Sequence, residues 1–163
     1  MPAHDVERIH QAASHLPALR GGERAPTPSR KLARAVSTEA FEVRAVEGTG
    51  SERRLHVQVP LGSRFFEGHF DGMPMLPGVA SVVAIAHREA SRTLGPLGAP
   101  RRMTRVKFTE AILPGDRLVV SLAREHEEAE VRVRFRIERI VSDAPRMASS
   151  GTLIYASTVG SSA

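Results

Sequence analysis

The feature that most constrains the fold is a helix-length stretch with apolar residues on every side. Over residues 79–86 every position except Ser81 is apolar, so a helix there would have no polar face. A helix of this kind is normally buried on all sides. A Pro-Gly pair at 77–78 and a Gly-Pro pair at 95–96 are typical of the residues that begin and end a helix. The sequence therefore predicts one central helix that the rest of the domain surrounds.

From residue 38 onward, the other segments alternate apolar and polar residues with a period of two. The clearest case is 131–138, where charged residues separate Val131, Val133, Phe135 and Ile137. The same alternation predicts further strands at 41–45, 55–59, 106–108 and 118–122, with a last strand at 152–156. Such strands place one face on a core and the other in water, as in an antiparallel sheet. A curved antiparallel sheet wrapped around one buried central helix predicts an α+β protein with the hotdog fold.

Residues 1–37 differ in composition from the rest of the chain. One short helical pattern begins at Asp5, a plausible N-cap, and ends before Pro17. The GGERAPTPSRK segment that follows is polar and holds little that could be buried. We therefore expect a partly flexible arm and linker at 1–37, the hotdog domain at 38–158 and a short tail at 159–163.

Composition excludes several classes of function. The chain has no cysteine, which removes disulfides, thiolate metal sites and a cysteine nucleophile. It has no apolar run near the roughly 20 residues that span a membrane, and its N-terminus lacks the apolar region of a secretory signal, so we expect a soluble cytoplasmic protein. The net charge of +5 suits either an acidic partner or a solvated surface. No aromatic residues interleave with the arginines, which argues against nucleic-acid binding.

The segment FFEGHFDGMPMLPG, at 65–78, combines the features of a catalytic loop. His69 lies on an extended stretch, and histidine side chains titrate near neutral pH, which suits them to moving protons. Pro74 and Pro77 stiffen the backbone that carries it, and Gly78 lets another group approach the main chain closely. The free N–H groups and the dipole of the helix start can stabilise a developing negative oxygen. The loop therefore predicts a site that pairs a proton-moving histidine with an oxyanion-binding helix start.

The same segment, written GHF-x-G-x-P-x-x-PGV, resembles the active-site signature of the bacterial 3-hydroxyacyl-[acyl-carrier-protein] dehydratases of fatty-acid synthesis. These are hotdog proteins. The resemblance continues more weakly over residues 38–156 and includes Lys107 and Phe108, followed by PGD at 114–116. It implies a hydro-lyase that eliminates water from a 3-hydroxyacyl thioester in fatty-acid or polyketide-type synthesis.

By this resemblance His69 is the catalytic histidine, which moves a proton between the α carbon and the 3-hydroxyl group. The backbone N–H of Gly78 is the group that polarises the thioester carbonyl. The residues around them that we expect to contact the substrate are Phe66, Phe70, Pro77, Val79, Val83 and His87. We expect no metal and no cofactor beyond the phosphopantetheine of the acyl carrier protein, or the CoA, that carries the substrate.

One position departs from the family pattern. The family has a second catalytic group, a Glu or Asp fourteen residues after the histidine, and in this chain that position is Val83. Valine can neither donate nor accept a proton, and general acid–base help is worth roughly 10²–10⁴ in rate. The only polar residues near it are Ser81 and His87. His87, where the family commonly has Gln, could replace the acid or could be a histidine at the solvent end of the helix.

Two alternatives to dehydration remain open. One is a hotdog thioesterase acting on acyl-CoA or acyl-ACP, in which His69 activates water for hydrolysis. The other is a non-catalytic acyl-binding subunit of a heterodimeric dehydratase, in which a different chain supplies the acid. All three functions predict a dimer, whether a homodimer, a higher homo-oligomer or a heterodimer, whose sheets pair edge to edge. The arginines at 101–105 could bind the acidic carrier protein or simply be solvated.

Overall fold

A computed structural model of the chain describes residues 40–68 and 72–157. The arm expected at 1–37 and the tail expected at 159–163 lie outside the described residues. Six strands carry most of the regular structure: β1 (Glu42–Glu47), β2 (Glu52–Gln58), β3 (Arg102–Phe108), β4 (Arg117–His126), β5 (Glu130–Val141) and β6 (Ala144–Ala156).

One helix, α1, lies between β2 and β3 and follows a short 3-10 turn at Arg64–Phe66. It has three consecutive segments, α-helical at Gly78–Ala80, π-helical at Ser81–His87 and α-helical again at Arg88–Thr93. Its start directly after Pro77 agrees with the sequence prediction. π-helical turns are rare and occur mostly at functional sites. The segment that holds both Val83 and His87 is therefore the irregular part of the helix.

The strands form one antiparallel sheet in the order β1-β2-β4-β5-β6-β3. The β4–β5–β6 meander lies inside the sheet, and β3, which follows α1, pairs with β6 at one edge. This arrangement of one helix and one curved antiparallel sheet is the α+β hotdog fold, and the fold prediction is confirmed. None of the helical segments among the described residues is long and apolar enough to cross a membrane.

The core lies between the sheet and α1, and its members follow the period-two pattern. In β5 the four apolar positions of the alternation are at most 1% exposed, whereas Arg134 and Arg136 between them are exposed. The apolar residues of β2 and β4 are likewise buried, with at most 3% exposure at Leu55, Val57, Leu118, Val120 and Leu122. Each such side chain contributes about 1.5–3 kcal/mol through burial. The predicted inward faces of these strands are therefore confirmed.

β1 is the strand in which the predicted alternation is partly wrong. Phe41 is buried and Val43 is half-buried, as expected, but Ala45 is exposed. The pairing with β2 shifts register between Val43 and Ala45, which is the mark of a β-bulge. The extra residue moves the alternation by one position, so Val46 instead of Ala45 comes to lie opposite the buried Leu55.

The expectation that α1 is buried on all sides is also wrong. Val79 is 66% exposed and Val83 is 49% exposed, although both are apolar. Ser81, the one polar residue of this stretch, is 2% exposed, because its hydroxyl donates to the Gly78 carbonyl at 2.7 Å and lies 3.4 Å from the hydroxyl of Ser149 in β6. The described chain therefore covers one side of α1 and leaves an apolar side open.

The last strand is longer than the predicted 152–156. β6 begins at Ala144, after a two-residue turn in which Ser142 and Asp143 have positive φ angles of 49° and 62°. Tight hairpin turns require this conformation, because it matches the twist of the flanking strands. The first half of β6 was missed because its inward positions are small: Ala148 and Ser149 are both 1% exposed, and neither gives an alternation of large apolar residues.

Candidate functional site

The loop at 65–78 is described on both sides of a short gap. His69 and Phe70 lie outside the described residues, so their predicted roles remain predictions. The flanking residues Gly68 and Gly72 have φ angles of +73° and +81°. Other residues adopt this left-handed conformation only with strain. Glycine is thus needed at both ends of the segment that carries His69.

The second half of the loop is tied to the β3–β4 connection. The N–H of Leu76 donates to the carbonyl of Ile112 at 2.8 Å, and both side chains are buried. Pro77 follows as the N-cap of α1 and offers no side-chain acceptor. Among the described residues no acceptor is found for the N–H groups of Gly78 and Val79. The helix start therefore presents free donors beside the dipole of α1, as an oxyanion site requires.

The PGD turn of the resemblance supports this connection structurally. Asp116 accepts hydrogen bonds from the N–H of Leu113 at 2.7 Å and from Nε of Arg139 at 2.7 Å. The hydrogen bond with Asp116 raises the pKa of the Arg139 guanidinium. The amide of Gln58 also donates to the carbonyl of Gly115 at 2.8 Å. These contacts fix the turn to which Leu76 is anchored.

Gly78 is in close contact with an aromatic residue that the sequence analysis did not assign to the site. A Cβ at Gly78 would lie 2.8 Å from ring atoms of Phe108, which is closer than real side chains approach. Phe108 is the last residue of β3 and is 54% exposed. Its place in the Lys107–Phe108 pair of the family resemblance was the only signal in the sequence. Gly78 is therefore needed so that the Phe108 ring can cover the start of α1.

An open cleft of about 740 Å³ runs along the uncovered side of α1. The described residues that line it are Phe65, Met75, Leu76, Pro77, Gly78, Val79, Ala80, Val83 and Ala84. All of these side chains are apolar, and none of them carries a titratable group. An acyl chain suits such a cleft, and its thioester carbonyl could accept from the free N–H groups of the helix start.

The structure brings four of the predicted site residues together, because Pro77, Gly78, Val79 and Val83 all line this cleft. Phe66 instead packs half-buried against the core. The aromatic residue of the cleft is its neighbour Phe65, whose ring stacks on Phe41 with a centroid distance of 5.9 Å.

His87 lies beyond the cleft lining and contacts β6. Its Nδ1 is 3.0 Å from the hydroxyl oxygen of Tyr155, and the two rings stack with centroids 5.7 Å apart. Burial raises the pKa of Tyr155, so its hydroxyl stays protonated and can donate to Nδ1. His87 is therefore held against the sheet by a partner that the sequence analysis did not predict.

No residue that lines the cleft in the described part of the chain supplies a carboxyl group in place of the one missing at Val83. Glu89, further along α1, is a carboxylate outside the cleft lining and is only 3% exposed. Its carboxylate lies 3.1 Å from Nη1 of Arg92, on the helix side that also buries Ile85. Glu89 is thus part of a structural ion pair and lies away from the Val83 side.

Comparisons with known proteins agree with this geometry. The family model of the ApeI-like proteins, described as ApeI dehydratase, matches residues 45–152. The 3-hydroxyacyl-[acyl-carrier-protein] dehydratase FabZ of Streptococcus agalactiae serotype V is 32% identical over 104 residues, which cover 60% of this chain and 72% of that protein. FabZ of Streptococcus equi subsp. zooepidemicus is 29% identical over 119 residues, covering 69% and 83%.

Two solved structures share the fold. The dehydratase heterocomplex ApeI:P from Xenorhabdus doucetiae matches with a TM-score of 0.56 and 23% identity, over 71% of this chain and 97% of that one. An uncharacterized protein from Erwinia carotovora subsp. atroseptica matches with a TM-score of 0.53 and 29% identity, over 70% and 92%. The resemblance to the 3-hydroxyacyl-ACP dehydratases is confirmed, since the family model covers well over half of the sequence. The chain belongs to the ApeI-like dehydratase family.

Proposed function

We propose that the chain eliminates water from 3-hydroxyacyl thioesters carried on the phosphopantetheine of an acyl carrier protein or on CoA, with no further cofactor. The observation that carries the proposal is the free N–H groups at the start of α1 beside an apolar cleft. Further support comes from membership of a dehydratase family.

In this reaction His69 removes a proton from the α carbon of the substrate. Charge then develops on the thioester oxygen, which accepts a hydrogen bond from the N–H of Gly78. The C–O bond at the third carbon breaks as the double bond forms, and the leaving hydroxyl takes a proton and departs as water. With Val83 in place of a carboxylic acid, His69 returns the proton that it removed, so one residue serves both steps.

An assay of the purified chain with a short 3-hydroxyacyl thioester tests the reaction. We expect wild type to form the 2-enoyl thioester, and His69→Ala to lower the rate by roughly 10²–10⁴. His126→Ala removes an exposed histidine outside the cleft and serves as the matched control. Release of free thiol without enoyl product would indicate hydrolysis, and equal rates for wild type and His69→Ala would sink the proposed mechanism.

The effect of the missing acid is tested by Val83→Glu. Val83 is half-exposed and lines the cleft, so a longer polar side chain has room there. We expect the variant to dehydrate faster than wild type, because it restores a second proton donor. If wild type is already highly active and Val83→Glu does not raise the dehydration rate, another group supplies the acid.

A second chain is the most direct source of such a group, and two observations favour a dimeric assembly. The apolar Val79 and Val83 are exposed on α1, and the fold matches a dehydratase that is described as a heterocomplex. We therefore propose that the active form is a dimer, with a homodimer and a heterodimer as the two cases. Mixing the chain with a dehydratase that retains the helix Glu separates them: activity found only in the mixture indicates a heterodimer.

A further inference from the structure

The sheet carries a row of basic and hydroxyl side chains on the face opposite α1. Strand pairing places five residues directly beside one another across β2, β4, β5, β6 and β3, in the order Arg54, Ser121, Arg136, Ser150 and Lys107. Directly paired residues project from the same face of a sheet. The neighbours Leu55, Leu122 and Phe135 are buried in the core, so the row projects outward. We call these five residues the basic row.

A groove of about 850 Å³ crosses this face, and all five residues of the basic row line it. Arg53, Arg105 and Arg134 add further positive charge to its lining, and Glu52 is its only carboxylate among the described residues. The strand register and the position of the groove thus identify the same basic surface by two independent observations.

Much of this charge is not neutralised by the residues that the structure describes. Arg134 pairs with Glu125 at 2.6 Å, and Arg136 has only a distant contact with Glu138 at 3.8 Å. Four of the groove's cations form no ion pair with any described residue, namely Arg53, Arg54, Arg105 and Lys107. The groove therefore favours an anionic occupant.

Three other occupants fit this groove less well, two because of charge and one because of the lack of exposed aromatic rings. A second copy bound through the same face would bring like charges together. The chain's own residues 1–37 contain six Lys and Arg against three Asp and Glu, a net charge of +3, so they are not complementary either. A single-stranded nucleic acid would need exposed aromatic rings for stacking. Phe135 is the one aromatic residue among the described residues that line the groove, and it is 1% exposed.

The spacing of the row fits an α-helix. Alternate strands of a sheet lie about 9.6 Å apart, so the cations of the basic row repeat at about that distance. Residues seven positions apart on a helix are about 10.5 Å apart along its axis. The hydroxyl residues Ser121 and Ser150 between the cations are short, which lets a helix backbone approach closely. We propose that this groove binds an acidic α-helix of a partner protein, with carboxylates seven residues apart facing Arg54, Arg136 and Lys107.

A labelled helical peptide of about 18 residues, with Glu at every seventh position, tests the proposal when added to the full chain. We expect it to bind more tightly than a peptide of the same composition whose Glu residues are spread around the helix. Arg136→Ser and Lys107→Ser should each weaken binding about threefold to fivefold, as for an exposed ion pair. Arg44→Ser removes an exposed arginine of β1 outside the groove and should have no effect.

Ser121→Gln tests the close approach without changing any charge. The longer side chain fills the space between Arg54 and Arg136, so we expect weaker peptide binding, and Ser150→Gln repeats the test on the other side of Arg136. Thermal unfolding checks that each variant is folded. Equal binding of the two peptides, or a preference for duplex DNA that Ser121→Gln leaves unchanged, would overturn the proposal.

Discussion

At the scale of single residues, Tyr155 is an internal reporter of the fold. It is the only tyrosine of a chain without tryptophan, it is 1% exposed, and its hydroxyl is 3.0 Å from Nδ1 of His87. Burial raises its pKa above the ordinary value of about 10. Because the folded pKa is the higher one, this contribution to stability is complete below about pH 10 and is lost as the pH rises further.

We therefore expect the ultraviolet absorbance of the folded chain to show little tyrosinate near pH 10, where the chain in denaturant is half ionised. The free energy of unfolding should fall above that pH. Tyr155→Phe keeps the ring and removes the ionisable group, so this part of the pH dependence should disappear. Identical titration curves for the folded and the denatured chain would contradict the burial of Tyr155.

At the scale of elements, the β3–β4 connection positions the helix start. Arg139 and Asp116 are only 15% and 17% exposed, so removing one partner leaves the other with unsatisfied polar atoms. We expect Asp116→Asn to lower the free energy of unfolding by about 1–3 kcal/mol. The matched control is Asp143→Asn. Asp143 is 90% exposed, and its ion-pair partner Arg117 is 59% exposed.

We expect Asp143→Asn to lower the free energy of unfolding by only about 0–1 kcal/mol, because exposed ion pairs contribute little to stability. Urea unfolding of both variants measures the difference. Asp116→Asn should also lower the dehydration rate, since the loop that leads into α1 is bonded to this connection through Leu76. Equal stability losses for the two variants would refute a special role for Asp116.

At the scale of the whole molecule, the sequence predicts the fold wherever one strand face is buried by the chain itself. The inward faces of β2, β4 and β5 follow from period two alone. The open side of α1 could not be predicted in this way. A run of apolar residues shows that a surface is covered, but it does not show whether the same chain or a second chain covers it. The bulge in β1 and the small residues of β6 also leave no periodic signal.

Some parts of the candidate site could be predicted from the sequence, and others could not. The Pro-Gly start of α1 and the cleft residues Val79 and Val83 follow from local sequence and from family resemblance. Phe108 lies about 30 residues after Gly78 in the sequence, and Tyr155 lies about 70 residues after His87. Only the folding of the sheet over α1 brings each pair together.

The exposed apolar side of α1 leads to a prediction about assembly. Val79→Arg places a charge in the middle of this side, and we expect it to shift the mass in solution toward the monomer. Leu61→Arg is the control, since Leu61 is 82% exposed and lies outside the cleft. Light scattering over a range of concentrations measures both variants. A wild-type chain that is monomeric at all concentrations would contradict the dimer.

The bulge in β3 precedes two residues that project from opposite faces of the sheet, Lys107 in the basic row and Phe108 over the start of α1. Thr104 pairs with Thr152 and Lys107 with Ser150, so β3 has one residue more than β6 between these pairs, and Arg105 has a φ angle of 54° there. Deleting Arg105 would pair Val106 with Gly151 and leave Lys107 opposite Ser150, so Lys107 would still project outward and Phe108 would still lie toward α1. The codon for Arg105 could therefore be lost without moving the end of the basic row or the cover of the helix start, and related chains without this insertion are expected to keep both.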